Sequence, residues 1–101
     1  MSETLRWMRE APLSPNGWLR CAKVICADGF KMSMQASHAH YCSPREDGLN
    51  DYDTIEIGFP SEKEELLMDY AEDGSNPTGT VYGWVPVEIV DKIIRKHGGL
   101  L

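Results

Sequence analysis

The dipeptide Asp28-Gly29 lies between two segments rich in strand-forming residues and constrains the fold more than any other local feature. Aspartate followed by glycine supplies the two positive-φ positions of a tight hairpin turn. We therefore predict a β-hairpin of residues 18–26 and 31–37 in which Ala27 pairs with Phe30. Side chains alternate along each strand, so this register predicts one buried face, with a lysine as its misfit. The members of that face are Leu19, Cys21, Lys23, Ile25, Met32, Met34, Ala36 and His38.

The rest of the chain continues the pattern of an α+β protein. Alternation predicts a strand over 53–59, and β-forming residues predict another over 80–85. Ser61 and Glu64 have capping-box spacing, which predicts a helix over 62–71, and a proline suited to a first helical turn precedes the last helix. The stripes expected to face the core are Leu66, Leu67 and Tyr70 in the first helix and Ile89, Val90, Ile93, Ile94 and His97 in the second.

These elements predict the fold class and the domain organisation. The chain has 101 residues, enough for one domain. We expect a small single α+β domain, with a β-hairpin-led antiparallel sheet packed by two helices, over residues 18–101. Residues 1–17 are rich in turn formers toward their end, which predicts an N-terminal arm or a short helix.

The net charge of −6 is concentrated in one segment. Residues 46–73 contain eleven acidic residues and one lysine, whereas the segments before and after carry net charges of +3 and +1. This distribution disfavours direct binding of nucleic acid and leaves open a partner with a basic surface. Solvated acidity that only keeps the protein soluble is the alternative. The candidate partner-binding residues are Glu46, Asp47, Asp51, Asp53, Glu56, Glu62, Glu64, Glu65, Asp69, Glu72 and Asp73.

Two thiols and two imidazoles form a candidate zinc ligand set: Cys21, His38, His40 and Cys42. A zinc-stabilised domain is therefore an alternative, although paired C-x-x-C ligands are missing and the three ligands from His38 onward extend along one strand. Cys42 is also a weak candidate nucleophile, because histidines and an arginine lie close in sequence. No signature for phosphate binding or acid–base catalysis is present, so we predict a non-enzymatic protein without a cofactor.

Several aromatic residues lie beside the acidic segment or on the last strand, and such residues are common interface anchors. They are Tyr41, Tyr52, Tyr70, Tyr82 and Trp84. Regular alternation predicts that Tyr82 and Trp84 share one face of their strand.

Targeting signals and cysteine usage indicate the compartment. No apolar run approaches the roughly 20 residues of a membrane span, and the N-terminus lacks the apolar segment of a secretory signal. Three cysteines cannot all pair, so reduced thiols are expected. We predict a cytoplasmic protein with no membrane partner.

Five short segments, at residues 26–30, 41–45, 56–61, 70–73 and 80–86, resemble small uncharacterised proteins of bacteriophages and prophages. The resemblance extends over about residues 18–100 and carries no functional residue. It implies the cytoplasm of a bacterial host and a role such as that of anti-CRISPR proteins, which bind and block host machinery. The expected function is a phage-encoded protein-binding inhibitor of a nucleic-acid-binding defence complex, with a CRISPR effector subunit as the candidate partner. The alternatives are an accessory or structural phage protein and the zinc-stabilised domain.

Overall fold

A four-stranded antiparallel sheet with strand order β1-β2-β3-β4 forms the centre of the protein, in a computed structural model that describes residues 2–49 and 51–101. Two α-helices and one 3₁₀ helix complete the domain, which confirms the predicted small α+β fold. The elements are α1 (Glu3–Glu10), β1 (Val24–Ile25), β2 (Lys31–Gln35), β3 (Thr54–Gly58), the 3₁₀ helix (Glu65–Tyr70), β4 (Val81–Pro86) and α2 (Val87–Lys96).

The hairpin forms where Asp28-Gly29 predicts it, but its predicted register is wrong by one residue. Val24 pairs with Met32, and the Cys26 N–H donates to the Phe30 carbonyl at 2.8 Å. The turn is therefore a three-residue loop with one positive-φ residue, Gly29 at 93°. A one-residue slip inverts the faces of β1, so Val24 and Cys26 are buried, whereas Ile25 is exposed. The same correction places Leu19, Cys21 and Lys23 in solvent.

The predicted helix over 62–71 is replaced by the shorter 3₁₀ helix. Ser61 does not cap it, because its hydroxyl accepts the Lys31 N–H at 3.0 Å instead. The Glu64 carboxylate caps the helix by accepting the Leu66 N–H, also at 3.0 Å. Leu67 is fully buried, while Leu66 and Tyr70 are partly buried.

Helix α2 provides the apolar stripe that its periodicity predicts. Val90, Ile93 and Ile94 are fully buried, and Ile89 packs against the core. Asp91 joins α2 to α1, because its carboxylate accepts the Thr4 N–H at 3.0 Å and the hydroxyls of Ser2 and Thr4. A carboxylate at a helix N-terminus interacts favourably with the helix dipole, so this contact fixes the first turn of α1.

An ion cluster built on the buried His97 and Glu64 and the exposed Asp28 connects the end of α2 to the hairpin loop and the 3₁₀ helix. The His97 ring lies between Glu64, 2.7 Å from Nε2, and Asp28, 2.6 Å from Nδ1, and it stacks on Phe30. Burial alone would lower the pKa of His97, but hydrogen bonds to Glu64 and Asp28 raise it above its ordinary value. The structure therefore favours a protonated His97 that donates to both carboxylates.

In the described part of the chain, no helix is long and apolar enough to cross a membrane.

The His97 cluster predicts a loss of stability at alkaline pH. A raised pKa contributes stability below the ordinary value of 6.5, and that contribution is lost as pH rises through the folded-state pKa. His40 acts in the opposite sense, because burial lowers its pKa. We therefore expect the difference in unfolding free energy between wild type and His97→Gln to shrink as pH rises above the ordinary histidine pKa of 6.5, measured by urea unfolding at a series of pH values.

His38→Gln is the matched control, because His38 is exposed and its partner Asp47 is exposed as well. The His38→Gln variant should lose stability at alkaline pH as the wild type does. A His97→Gln protein with the same pH profile as wild type would contradict the role of the cluster.

Candidate functional site

Nine of the eleven acidic candidates have exposed side chains. The nine are Glu46, Asp47, Asp51, Asp53, Glu62, Glu65, Asp69, Glu72 and Asp73. We refer to them as the acidic surface. They lie in the loop before β3, just before and within the 3₁₀ helix, and in the loop between that helix and β4. Most of this negative charge is therefore available to solvent and to a partner.

Glu64 does not belong to that surface. Its side chain is 1% exposed and accepts hydrogen bonds from Lys96 Nζ at 2.8 Å and from the Leu66 N–H. Burial alone would raise the pKa of Glu64, but these bonds, together with the one from His97, hold it below its ordinary value. The prediction that Glu64 binds a partner is therefore corrected to a structural role, because a carboxylate buried this deeply cannot reach another protein.

Asp47 is held in place while it stays accessible. It accepts the backbone N–H of His38 at 2.9 Å and lies within hydrogen-bond distance of the same residue's imidazole. These bonds lower the pKa of Asp47 and keep it ionised. The loop after β2 thereby presents a fixed negative charge.

An acidic cleft of about 560 Å³ lies where β3 and β4 meet the two α-helices. Asp51 and Asp53 contribute to it from the loop before β3, and Glu88 and Asp91 contribute from α2. Glu88 and Asp91 were not predicted, because the segment after residue 73 has a net charge of +1. The antiparallel pairing of β3 with β4 could have revealed these two residues, because it places the start of α2 beside Asp53. In the structure, the Val87 N–H donates to the Asp53 carbonyl at 3.1 Å.

A β-bulge in β4 determines where Trp84 points. Ile55 pairs with Val85 and Ile57 with Tyr82, so Gly83 and Trp84 together oppose Glu56. Trp84 has a φ of 50°, a conformation that is rare for a bulky residue. Tyr82 is therefore fully buried while Trp84 is 50% exposed, and the prediction that they share a face is wrong.

Tyr41 secures the bulge from outside the sheet. Its carbonyl accepts the Trp84 N–H at 2.9 Å, and its own N–H donates to the Glu56 carboxylate at 2.9 Å. The rings of Tyr41 and Trp84 stack with centroids 4.9 Å apart. Glu56 is only partly buried, yet its carboxylate contributes to holding this aromatic pair.

Three aromatic side chains and Glu72 of the acidic surface line a cleft of about 370 Å³. It is lined by Tyr41, Tyr70, Ala71, Glu72, Gly83 and Trp84, and we refer to it as the aromatic cleft. A Cβ at Gly83 would lie 3.2 Å from the Tyr41 Cβ, so glycine permits the close approach of that ring. Tyr52 is buried, like Tyr82, so neither is an anchor for a partner.

The candidate zinc ligands are not arranged as a site. Cys21 is exposed, while Cys42 is buried and its thiol donates to the Ser37 carbonyl at 3.3 Å. His40 is bonded to the hydroxyl of Ser37 and His38 to Asp47. Among the described residues, no group of three or more metal-binding side chains could hold an ion. Burial also raises the pKa of Cys42, which disfavours the reactive thiolate.

No family model, curated protein or solved structure matches the chain. The function is therefore argued from the acidic surface and the aromatic cleft.

Backbone strain at Trp84 predicts an unusual response to substitution. A left-handed conformation costs a non-glycine residue about 1–2 kcal/mol. We therefore expect Trp84→Gly to be at least as stable as Trp84→Ala in urea unfolding, since both variants lose the ring and only glycine relieves the strain.

Ile25, exposed in β1 and without a positive φ, is the control position. There glycine should be less stable than alanine by about 0.5–1 kcal/mol. If glycine were also less stable than alanine at residue 84, that result would argue against a strained bulge.

Proposed function

We propose that this protein is a non-enzymatic inhibitor that binds a basic surface of a nucleic-acid-binding protein. The observation that carries the proposal is the accessibility of the nine carboxylates of the acidic surface. Interfaces of this kind depend on complementary charge, which accelerates association and determines which partners are excluded.

The acidic surface has little internal neutralisation. Lys63 is the single base of residues 46–73, and it contacts Glu65 at 3.4 Å, with both side chains more than half exposed. Exposed ion pairs of this kind contribute little to stability. For Asp51, Asp53, Glu62, Asp69 and Glu72, the described part of the chain provides no ion-pair partner. Their charge is therefore available to lysine and arginine side chains of another protein.

A nucleic-acid-binding target follows from the same chemistry. Grooves that bind phosphates present lysine and arginine, and carboxylates on a folded surface compete for those side chains. The resemblance to small phage proteins favours a host defence complex as that target, and a CRISPR effector subunit is the specific candidate.

The test is binding to a purified CRISPR effector, with and without its target DNA. We expect affinity that falls as salt rises and that is lost when DNA occupies the effector, because both ligands use the same basic groove. A triple variant, Glu62→Lys with Glu65→Lys and Asp69→Lys, should bind at least about tenfold more weakly.

Two single variants with the same change in net charge distinguish the effect of where the charge lies from the effect of total charge on binding. Glu62→Lys lies within the acidic surface, whereas Glu10→Lys lies at the exposed end of α1. Weakening by Glu62→Lys alone supports the proposal. Unchanged binding of the triple variant, or equal effects of both single variants, would instead favour acidity that only maintains solubility.

A further inference from the structure

The lining of the aromatic cleft combines three rings with one carboxylate. Tyr41, Tyr70 and Trp84 provide the rings, and Glu72 provides the negative charge. Tyr41 and Trp84 are both exposed, at 39% and 50%, so the cleft faces solvent. Exposed aromatics that lie together mark binding sites more often than exposed apolar residues that are scattered singly.

This composition matches a cation. Aromatic faces attract guanidinium and ammonium groups through their quadrupole, and a carboxylate adds a charge-assisted hydrogen bond. An anion would be repelled by Glu72 and by the neighbouring acidic surface. The cleft, with a volume of about 370 Å³, has room for a long side chain.

The geometry of the cleft is fixed before any ligand binds. The bulge holds Trp84 outward, the backbone of Tyr41 is bonded to Trp84 and Glu56, and Gly83 allows the rings to approach. The Glu72 N–H donates to the Val81 carbonyl at 3.0 Å, which ties the backbone of that residue to β4. A preorganised site loses little conformational entropy on binding.

The protein itself places a guanidinium on one of these rings. The Cζ atom of Arg45 lies over the Tyr41 ring, 5.8 Å from its centroid. The contact shows that a cation is accommodated on this aromatic residue. Arg45 is exposed, so a second cation can share the aromatic pair with it or displace it.

We propose that the aromatic cleft binds one arginine or lysine side chain of the basic partner, with the rings holding the cationic head and Glu72 accepting its hydrogen bond. The proposal rests on the proposed function and adds to it a specific contact. The acidic surface supplies long-range attraction, and the cleft supplies short-range recognition of a single side chain.

The direct test uses N-acetyl-arginine methylamide as the probe and the citrulline analogue as its neutral isostere. In NMR titrations at constant ionic strength, we expect the arginine probe to shift the signals of Tyr41, Tyr70, Gly83 and Trp84. The citrulline probe should bind at least about tenfold more weakly, because it lacks the charge. Equal binding of the two probes, or shifts distributed over the acidic surface without the cleft, would overturn the proposal.

A matched pair of exposed carboxylates tests the role of Glu72. Glu72→Gln should weaken binding of the arginine probe at least about fivefold, whereas Glu10→Gln, at the exposed end of α1 and outside the acidic surface, should leave it unchanged. Equal effects would reduce the contact to general electrostatics and overturn the proposal. Tighter binding of spermidine or tetramethylammonium than of the arginine probe would overturn the assignment to a protein side chain.

The two proposals fail in different ways. If the cleft does not bind the arginine probe while the triple lysine variant still loses the effector, the cleft assignment is wrong and the acidic-surface function stands. If the cleft binds the probe while the triple variant still captures the effector, the acidic-surface function is wrong and the cleft assignment stands.

Discussion

The bulge at Gly83-Trp84 is the constraint on which the exposed part of this structure depends. Two residues of β4 oppose Glu56 of β3, so the side chains of β4 do not alternate regularly between the two faces of the sheet across the bulge. The positive φ of Trp84 allows this irregularity, and the hydrogen bond to the Tyr41 carbonyl holds it. Strain of this kind persists where surrounding contacts over-determine it, and it is concentrated at functional sites. In this protein the result is an aromatic pair in solvent beside a row of carboxylates.

The fold uses a few of its acidic residues internally and leaves most of the others exposed to solvent. Glu64 is paired with His97 and Lys96, Asp91 caps α1, and Glu56 orients Tyr41. Each of these carboxylates has specific donors that offset its desolvation. The exposed carboxylates repel one another, which works against stability at low ionic strength. The proposed binding of a basic partner would relieve this repulsion.

Local patterns predicted the parts of the structure that local physics determines. The buried faces of β2 and β3 and the stripe of α2 follow from alternation and helical periodicity. The register of β1 did not follow, because Asp28-Gly29 fits both a two-residue turn and a three-residue loop. Lys23 favoured the three-residue loop, because the two-residue turn would place this lysine on the buried face. The burial of Glu64 depends on His97, 33 positions away. Trp84 points outward because of a contact with Tyr41, which no periodicity in β4 encodes.

Nuclear Overhauser spectra of the free protein around Trp84 test this account most directly. The account predicts the short intraresidue Hα–HN distance of a positive φ at Trp84, with cross-peaks between its indole and the Tyr41 ring. A regular strand would instead give the longer intraresidue Hα–HN distance of a negative φ at Trp84, and the indole would contact the neighbours of the buried Tyr82. That result would remove the bulge, the aromatic cleft and the cation site together.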